Sequence, residues 1–443
     1  MDTHHTLPKG GLALAALEEQ LLQPGVKGLP ISAPLRQGAI GVQGWNVLHG
    51  DTSFPVAILK ASALRHNLDW MRRFCERYGA LLAPHGKTTM SPQLFGAQLA
   101  NGAWGMTLAS ATQVQVAHRV GVRRVLLANQ LVGRADIAAM LQLMHDDPDF
   151  ELFALADSHD GVARLAEAVA APALARPLPL LVELGIPGKR AGCRSLEEAL
   201  SVARAIAAAP GLQLAGIEGY EGLLTSNDAA ADVKAVDAFV AQLVHLVRAA
   251  DAEALFGGPA IIVSAGGSAY FDLVARGFQG LHGVSLPVQA ILRSGCYLTS
   301  DHGSYKNLIG QLDARERSDP QAGLQPALEV WSVVQSRPEP TLAILTMGKR
   351  DASYDIDLPL PLYVHRPGPG LPAALPVGCR IVKMNDQHAY LQLPPGDPLC
   401  AGLAVGDLVG CGISHPCTTF DKWPLLLAVD DAYGVRYAVN TLF

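Results

Sequence analysis

The chain has 443 residues, a formal net charge of -6, and 17% charged against 49% hydrophobic residues. That length calls for more than one small core, and the abundance of apolar residues excludes a disordered or fibrous chain. An acidic balance without any basic run interleaved with aromatics excludes a nucleic-acid surface. No uncharged run of about 18 apolar residues offers a membrane span. The seven cysteines are odd in number and scattered, and residues 1–9 lack the apolar core of a signal peptide. Reduced thiols and a cytoplasmic location are therefore expected.

Residues 1–52 hold a short helical pattern (Leu12, Leu14, Leu17, Leu21) followed by Pro- and Gly-rich connections, and read as an N-terminal extension. Over residues 53–303, short apolar runs alternate with longer helical patterns. The runs are 56–59, 80–83, 105–108, 124–128, 152–156, 178–184, 214–218, 261–264 and 289–292. Between the first two, Leu64, Leu68, Met71, Phe74 and Tyr78 recur at spacings of three and four, which predicts an amphipathic helix. Repeated strand–helix alternation means a parallel sheet with crossover helices. Eight units after the opening strand fit a closed (β/α)8 TIM barrel of roughly 250 residues. An open doubly wound sheet is the alternative, but no G-x-G-x-x-G opens an early helix.

Residues 304–443 change character again. Strand-like runs near 328–334, 342–347, 379–383, 389–393, 407–411 and 425–429 are punctuated by Pro-Gly-Pro-Gly (367–370) and Pro-Pro-Gly-Asp (394–397). They predict a smaller, mostly antiparallel β domain, entered through a polar, irregular linker over 304–325.

Chemistry in such a barrel sits on the loops after the strands. The run ending at Ala83 is followed by Pro84-His85-Gly86-Lys87-Thr88. A lysine there is either a solvated surface charge or a partly desolvated amine, able to act as an imine-forming nucleophile. Other strand ends carry Asn129-Gln130, Glu183 with Arg190 beyond it, and Glu218-Gly-Tyr220-Glu-Gly222. The last two give Gly266-Gly267-Ser268 and Arg293-Ser-Gly295-Cys296-Tyr297. A Gly-Gly-Ser turn lets N–H groups and a hydroxyl approach an anion closely. Such a cradle facing a lysine, with an arginine and a tyrosine between, suggests pyridoxal phosphate. In the second domain, His415 and Cys417 stand two apart. On an extended segment they face one side and present a nitrogen and a sulfur suited to zinc. Two ligands fall short of a structural site but suit a catalytic one with open positions; the plain alternative is a core histidine and cysteine in a corner.

Collected together, these residues resemble the D-threonine aldolase / D-serine dehydratase family of fold-type III pyridoxal-phosphate enzymes, over about residues 54–443. The resemblance is carried by Pro84-His-Gly-Lys87-Thr88, Val125-Leu-Leu-Ala-Asn129-Gln130, Glu183…Arg190-x-Gly192, Arg293-x-Gly295-x-Tyr297 and His415-Pro-Cys417-Thr418. It implies that Lys87 carries the cofactor, with His85 and Tyr220 lining it and Arg190 contacting its phenolic oxygen. It places the phosphate against Gly266, Gly267 and Ser268, near Gly295, Cys296 and Tyr297. It gives zinc or another divalent cation to His415 and Cys417. Glu183, Asn129 and Gln130 line the pocket without an assigned role.

The pattern departs from the family at Ala83, Thr89 and Gly185, where an arginine, a histidine and an aspartate are usual. Within the family, His-x-Cys marks dehydratases and His-x-Asp marks aldolases. The resemblance thus implies dehydration of D-serine or D-threonine to a 2-oxo acid and ammonia. Retro-aldol cleavage to glycine and an aldehyde, or cofactor binding without catalysis, are the alternatives. A homodimer with a small amino-acid substrate, and neither nucleic acid nor membrane as partner, completes the expectation.

Overall fold

Eight parallel strands make up one sheet in the computed structural model, which describes residues 7–170, 174–226, 228–316 and 323–443. Their order runs Leu81–Leu82, Val288–Leu292, Ile261–Ala265, Leu212–Gly219, Leu178–Leu184, Glu151–Ala156, Arg124–Gln130, Met106–Leu108. The ring closes where the Trp104 N–H donates to the Leu82 carbonyl (2.7 Å) and the Thr107 N–H to that of Pro84 (2.9 Å). Inside, Ala83, Leu126, Leu155, Leu181, Ala215, Ile262 and Ile291 pack as one cluster, one from each of seven strands or strand ends. This is the filled interior of a TIM barrel. Each run is apolar on both faces because helices cover the outside while side chains fill the inside. Leu178–Leu184 keeps six of its seven residues buried.

The chain divides into two compact units: residues 71–87 with 98–295, which form the barrel, and residues 1–70 with 88–97 and 296–443. The second unit contains a mostly antiparallel sheet in the order Ala373–Ala374, Leu360–His365, Leu408–Gly412, Leu328–Glu339, Leu342–Leu345, Ala389–Gln392, Arg380–Met384. The strands Leu360–His365 and Val435–Asn440 were not foreseen from the sequence.

Two expectations change. The opening run, expected ahead of the barrel and inside its domain, forms the strand Val56–Lys60. It pairs antiparallel with Leu328–Glu339 and parallel with Leu425–Val429, within the second unit. The run's apolarity records burial on both faces, not the sheet that supplies it. The stretch expected as an irregular linker begins as a helix, Ser304–Glu316. Buried Asp301 starts it by accepting the N–H groups of Gly303 (2.8 Å) and Tyr305 (3.1 Å). Residues 317–322 of that stretch lie outside the described residues.

The N-terminal extension is part of a core. Leu22, Leu29, Ile40, Val47 and Leu48 pack with Trp331, Leu408, Leu427, Tyr433 and Val435. The predicted amphipathic helix spans Ala61–Tyr78. Among the described residues, no helix is long and apolar enough to cross a membrane.

Candidate functional site

The barrel unit places several buried or half-buried titratable side chains, among them His85, Lys87, Glu183, Glu218 and Arg293, at the C-terminal ends of its strands. Pro84 stops the strand Leu81–Leu82, and the single turn Gly86–Thr88 holds Lys87 just beyond it, half-buried. The His85 N–H donates to the Arg293 carbonyl (3.2 Å), which ties this turn to the end of the strand Val288–Leu292. Burial, with the nearby cations Lys87, Arg293 and Arg190, holds the His85 imidazole well below its usual range. It is therefore neutral, and its Nδ1 is buried without a hydrogen-bond partner.

Arg293 is buried as well. It forms an ion pair with Glu218, and its Nη2 donates to the Gly219 carbonyl (2.8 Å), while its Nε has no partner. Burial pushes the Glu218 carboxyl up to about 8 despite the pull of Arg293, with Glu183 and Glu221 adding repulsion. Glu183 is raised by burial too, and accepts a hydrogen bond from Gln130 Nε2. The Arg190 guanidinium lies over the Tyr220 ring at 4.8 Å. Asn129 Nδ2 donates to the Ala109 carbonyl (2.6 Å).

The Gly-Gly-Ser turn does hold an anion, but the anion is the protein's own. The carboxylate of Glu221, fully buried, accepts the N–H of Gly266 (2.9 Å), the N–H of Ser268 (3.2 Å) and the Ser268 hydroxyl (2.6 Å). Gly266 has φ +73°, and a Cβ there would lie 2.8 Å from Leu292 Cδ2, so glycine is required twice over. A Cβ on Gly267 would come 3.1 Å from the Tyr220 ring. Gly295 ends the barrel unit, whereas Cys296 and Tyr297 open the short turn Cys296–Leu298 of the second unit.

These residues suit a bound pyridoxal phosphate. A lysine stands at a strand end, and the His85 Nδ1 and Arg293 Nε atoms are buried without a protein hydrogen-bond partner.

In the second unit, the segment carrying His415 and Cys417 is not extended. The strand Leu408–Gly412 has ended, Pro416 is helical (φ -56°, ψ -46°), and Cys417–Phe420 forms one helical turn. The pair is brought together by side chains rather than by strand alternation. His415 Nδ1 lies 2.6 Å from Asp355 Oδ2, and the Thr418 hydroxyl donates to Asp355 Oδ1 (2.8 Å). The His415 N–H donates to the Ser353 hydroxyl (3.2 Å). The Cys417 sulfur lies 3.5 Å from Thr88 Oγ1 and 3.9 Å from the Cys296 sulfur.

Hydrogen bonding with Cys417, reinforced by Asp355, raises the His415 imidazole to about 9. Hydrogen bonds with Cys296, His415 and Thr88 hold the Cys417 thiol well below its usual range. A thiolate beside an imidazole backed by a carboxylate is a donor arrangement that fits a divalent cation. Among the described residues, no group of three or more His, Cys, Asp or Glu side chains forms a ready-made metal cage. Sequence reasoning missed Asp355, Glu221 and the Glu218–Arg293 pair. The last two stood at strand ends; Asp355, 60 residues before His415, gave no signal.

The barrel is alanine-racemase-like in fold. Residues 59–275 match the family model "Alanine racemase, N-terminal domain", and residues 327–429 match "Putative serine dehydratase domain". A 3-hydroxy-D-aspartate aldolase of Paracoccus denitrificans is 27% identical, over 69% of this chain and 74% of that protein. A D-threonine aldolase of Arthrobacter sp. is 23% identical, over 85% and 89%. Among solved structures, a D-threo-3-hydroxyaspartate dehydratase from a Delftia species has a TM-score of 0.71 at 19% identity, covering 90% of this chain and 99% of that one. In both family models and in these relatives, the chain is similar to pyridoxal-phosphate lyases of D-hydroxy amino acids built on an alanine-racemase-like barrel.

Proposed function

We propose that this protein is a pyridoxal-phosphate-dependent lyase of D-β-hydroxy amino acids such as D-serine or D-threonine, whose main reaction is dehydration to a 2-oxo acid and ammonia. Lyase activity on this substrate class is supported by the relatives' names. The dehydratase branch is supported by one observation: a histidine–cysteine donor pair, with Asp355 fixing the imidazole so that Nε2 is left for an ion.

In this reading Lys87 holds the cofactor covalently, with His85, Arg190, Tyr220, Gly295 and the Gly266–Ser268 loop around it. The bound cofactor supplies an electron sink for the pair released at Cα. Lys87 Nζ would then take the substrate's α-proton as general base. Neutral His85 keeps a second positive charge away from that amine. Arg190, steadied over Tyr220, would supply a fixed cation beside the cofactor. His415 and Cys417 hold zinc or another divalent cation, whose chemistry is to polarise the β-oxygen.

Retro-aldol cleavage is the second reading, favoured by the two aldolase relatives. Product analysis with D-threonine, in zinc-supplied and chelated protein, separates the two. 2-Oxobutanoate and ammonia, lost on chelation, support dehydration; glycine and acetaldehyde move the protein to the aldolase side. Neither product, with cofactor bound at Lys87, sinks the lyase reading for this substrate. The reading also carries a cytoplasmic homodimer, checked by light scattering of the purified protein for its oligomeric state.

A further inference from the structure

The geometry points to Cys296 as a third protein ligand of the cation held by His415 and Cys417, giving a one-nitrogen, two-sulfur site with one position open. This rests on the metal reading of that corner and deepens it. Two thiolates bound to one tetrahedral zinc at about 2.3 Å each are separated by about 3.8 Å. The Cys296 and Cys417 sulfurs stand 3.9 Å apart, far beyond a disulfide bond and matched to that spacing. Thr88 Oγ1 lies 3.5 Å from one sulfur and 4.0 Å from the other, so it caps the pair from one side. His415 stands two residues from Cys417 in the same corner, and its Nδ1 lies 2.6 Å from Asp355 Oδ2.

Cys296 falls on the single turn Cys296–Leu298 of the same unit as His415 and Cys417. The plain alternative is two thiols in van der Waals contact. It leaves unexplained why a threonine hydroxyl and a carboxylate-backed imidazole join the same contact.

A second thiolate changes which ion the site takes. Soft sulfur donors favour zinc over magnesium or manganese, which prefer oxygen. Three protein ligands with a fourth position open is also the arrangement of catalytic zinc, leaving one position for a substrate oxygen.

The test uses the purified, cofactor-bound protein loaded with zinc under reducing conditions and studied by X-ray absorption at the zinc edge. Two sulfurs at about 2.3 Å in the native protein, falling to one in Cys296→Ala, support the proposal. A chelator competition accompanies it. Zinc affinity should fall at least about tenfold in C296A, because removing a ligand costs no less than removing its supporting partner. Cys296→Ser, which keeps the size of the side chain, should show the same loss of one sulfur. One sulfur in the native protein, or two in C296A, overturns the third ligand while leaving His415 and Cys417 as metal donors. Zinc that does not bind the native protein at all overturns the metal reading of the corner itself. Manganese or magnesium displacing zinc at equal concentration would also count against it.

Discussion

The barrel rim and the His415 corner reach the same end, a small set of poised polar groups, by opposite routes. At the rim, one regular sheet delivers Lys87, Glu183, Glu218 and Arg293 from four of its strand ends, and Arg293 pairs with Glu218 within that ring. In the corner, segments near 88, 296, 355 and 415–417 meet outside any strand. One carboxylate, Asp355, fixes the imidazole and the Thr418 hydroxyl together. Regular architecture spreads the work over many contacts. The corner concentrates it in a few, so its metal affinity should be the more sensitive to loss of a single supporting side chain.

The largest effect tests the rim. Lys87→Ala should end covalent cofactor attachment and lower turnover by about a thousandfold or more, given the general-base role assigned to it. Borohydride reduction followed by mass mapping should then find no adduct on the peptide containing residue 87. An adduct on another lysine would break the assignment.

Next comes the corner. His415→Ala should abolish tight zinc binding and reduce turnover at least about a hundredfold, the value of several kcal/mol of Lewis-acid stabilisation. Asp355→Asn keeps both donors but loses the charge behind the imidazole. It should weaken zinc by about 10- to 100-fold in a chelator competition. A D355N protein with native affinity would show that the corner is not organised through its carboxylate.

What the sequence revealed of these two regions differs for a physical reason. Burial on both faces writes a continuous apolar run, so the eight barrel strands and the groups at their ends could be read directly. The same signal misleads at Val56–Lys60, because an apolar run states that a strand is buried and not which sheet buries it. His415 and Cys417 were legible as a pair by spacing, yet the spacing argument assumed an extended segment where Pro416 starts a helical turn. Asp355 had no local pattern, since its partnership with His415 exists only in the tertiary fold. From sequence the Gly266-Gly267-Ser268 turn reads as a cradle for the cofactor's phosphate, and its amides and hydroxyl donate to Glu221. That Glu221 is an anion on it depends on how two loops meet.

Glu221 therefore offers a smaller test at the rim. Glu221→Ala leaves the Gly266 and Ser268 amides without their acceptor, at about 1–3 kcal/mol for each unsatisfied buried donor. Cofactor affinity, measured by dialysis and absorbance, should fall by about tenfold or more. The barrel's thermal transition should survive. E221A with native cofactor affinity would mean that the loop keeps its shape without the carboxylate.

The smallest expected effect concerns Glu218, and its sign can be worked out. Burial raises the folded-state value to about 8, while the unfolded chain releases this proton in the ordinary carboxylate range. Between those limits the folded state binds more protons than the unfolded one, so stability falls as pH rises through that window. Glu218→Gln mimics the protonated form and cannot titrate. Denaturant unfolding of the native protein should therefore lose stability between about pH 5 and 8 at no more than about 1.4 kcal/mol per pH unit from this group. E218Q should lack that share of the slope. An unchanged slope would mean that Arg293 keeps Glu218 charged throughout, and that the rim balances its charges by pairing rather than by holding a proton.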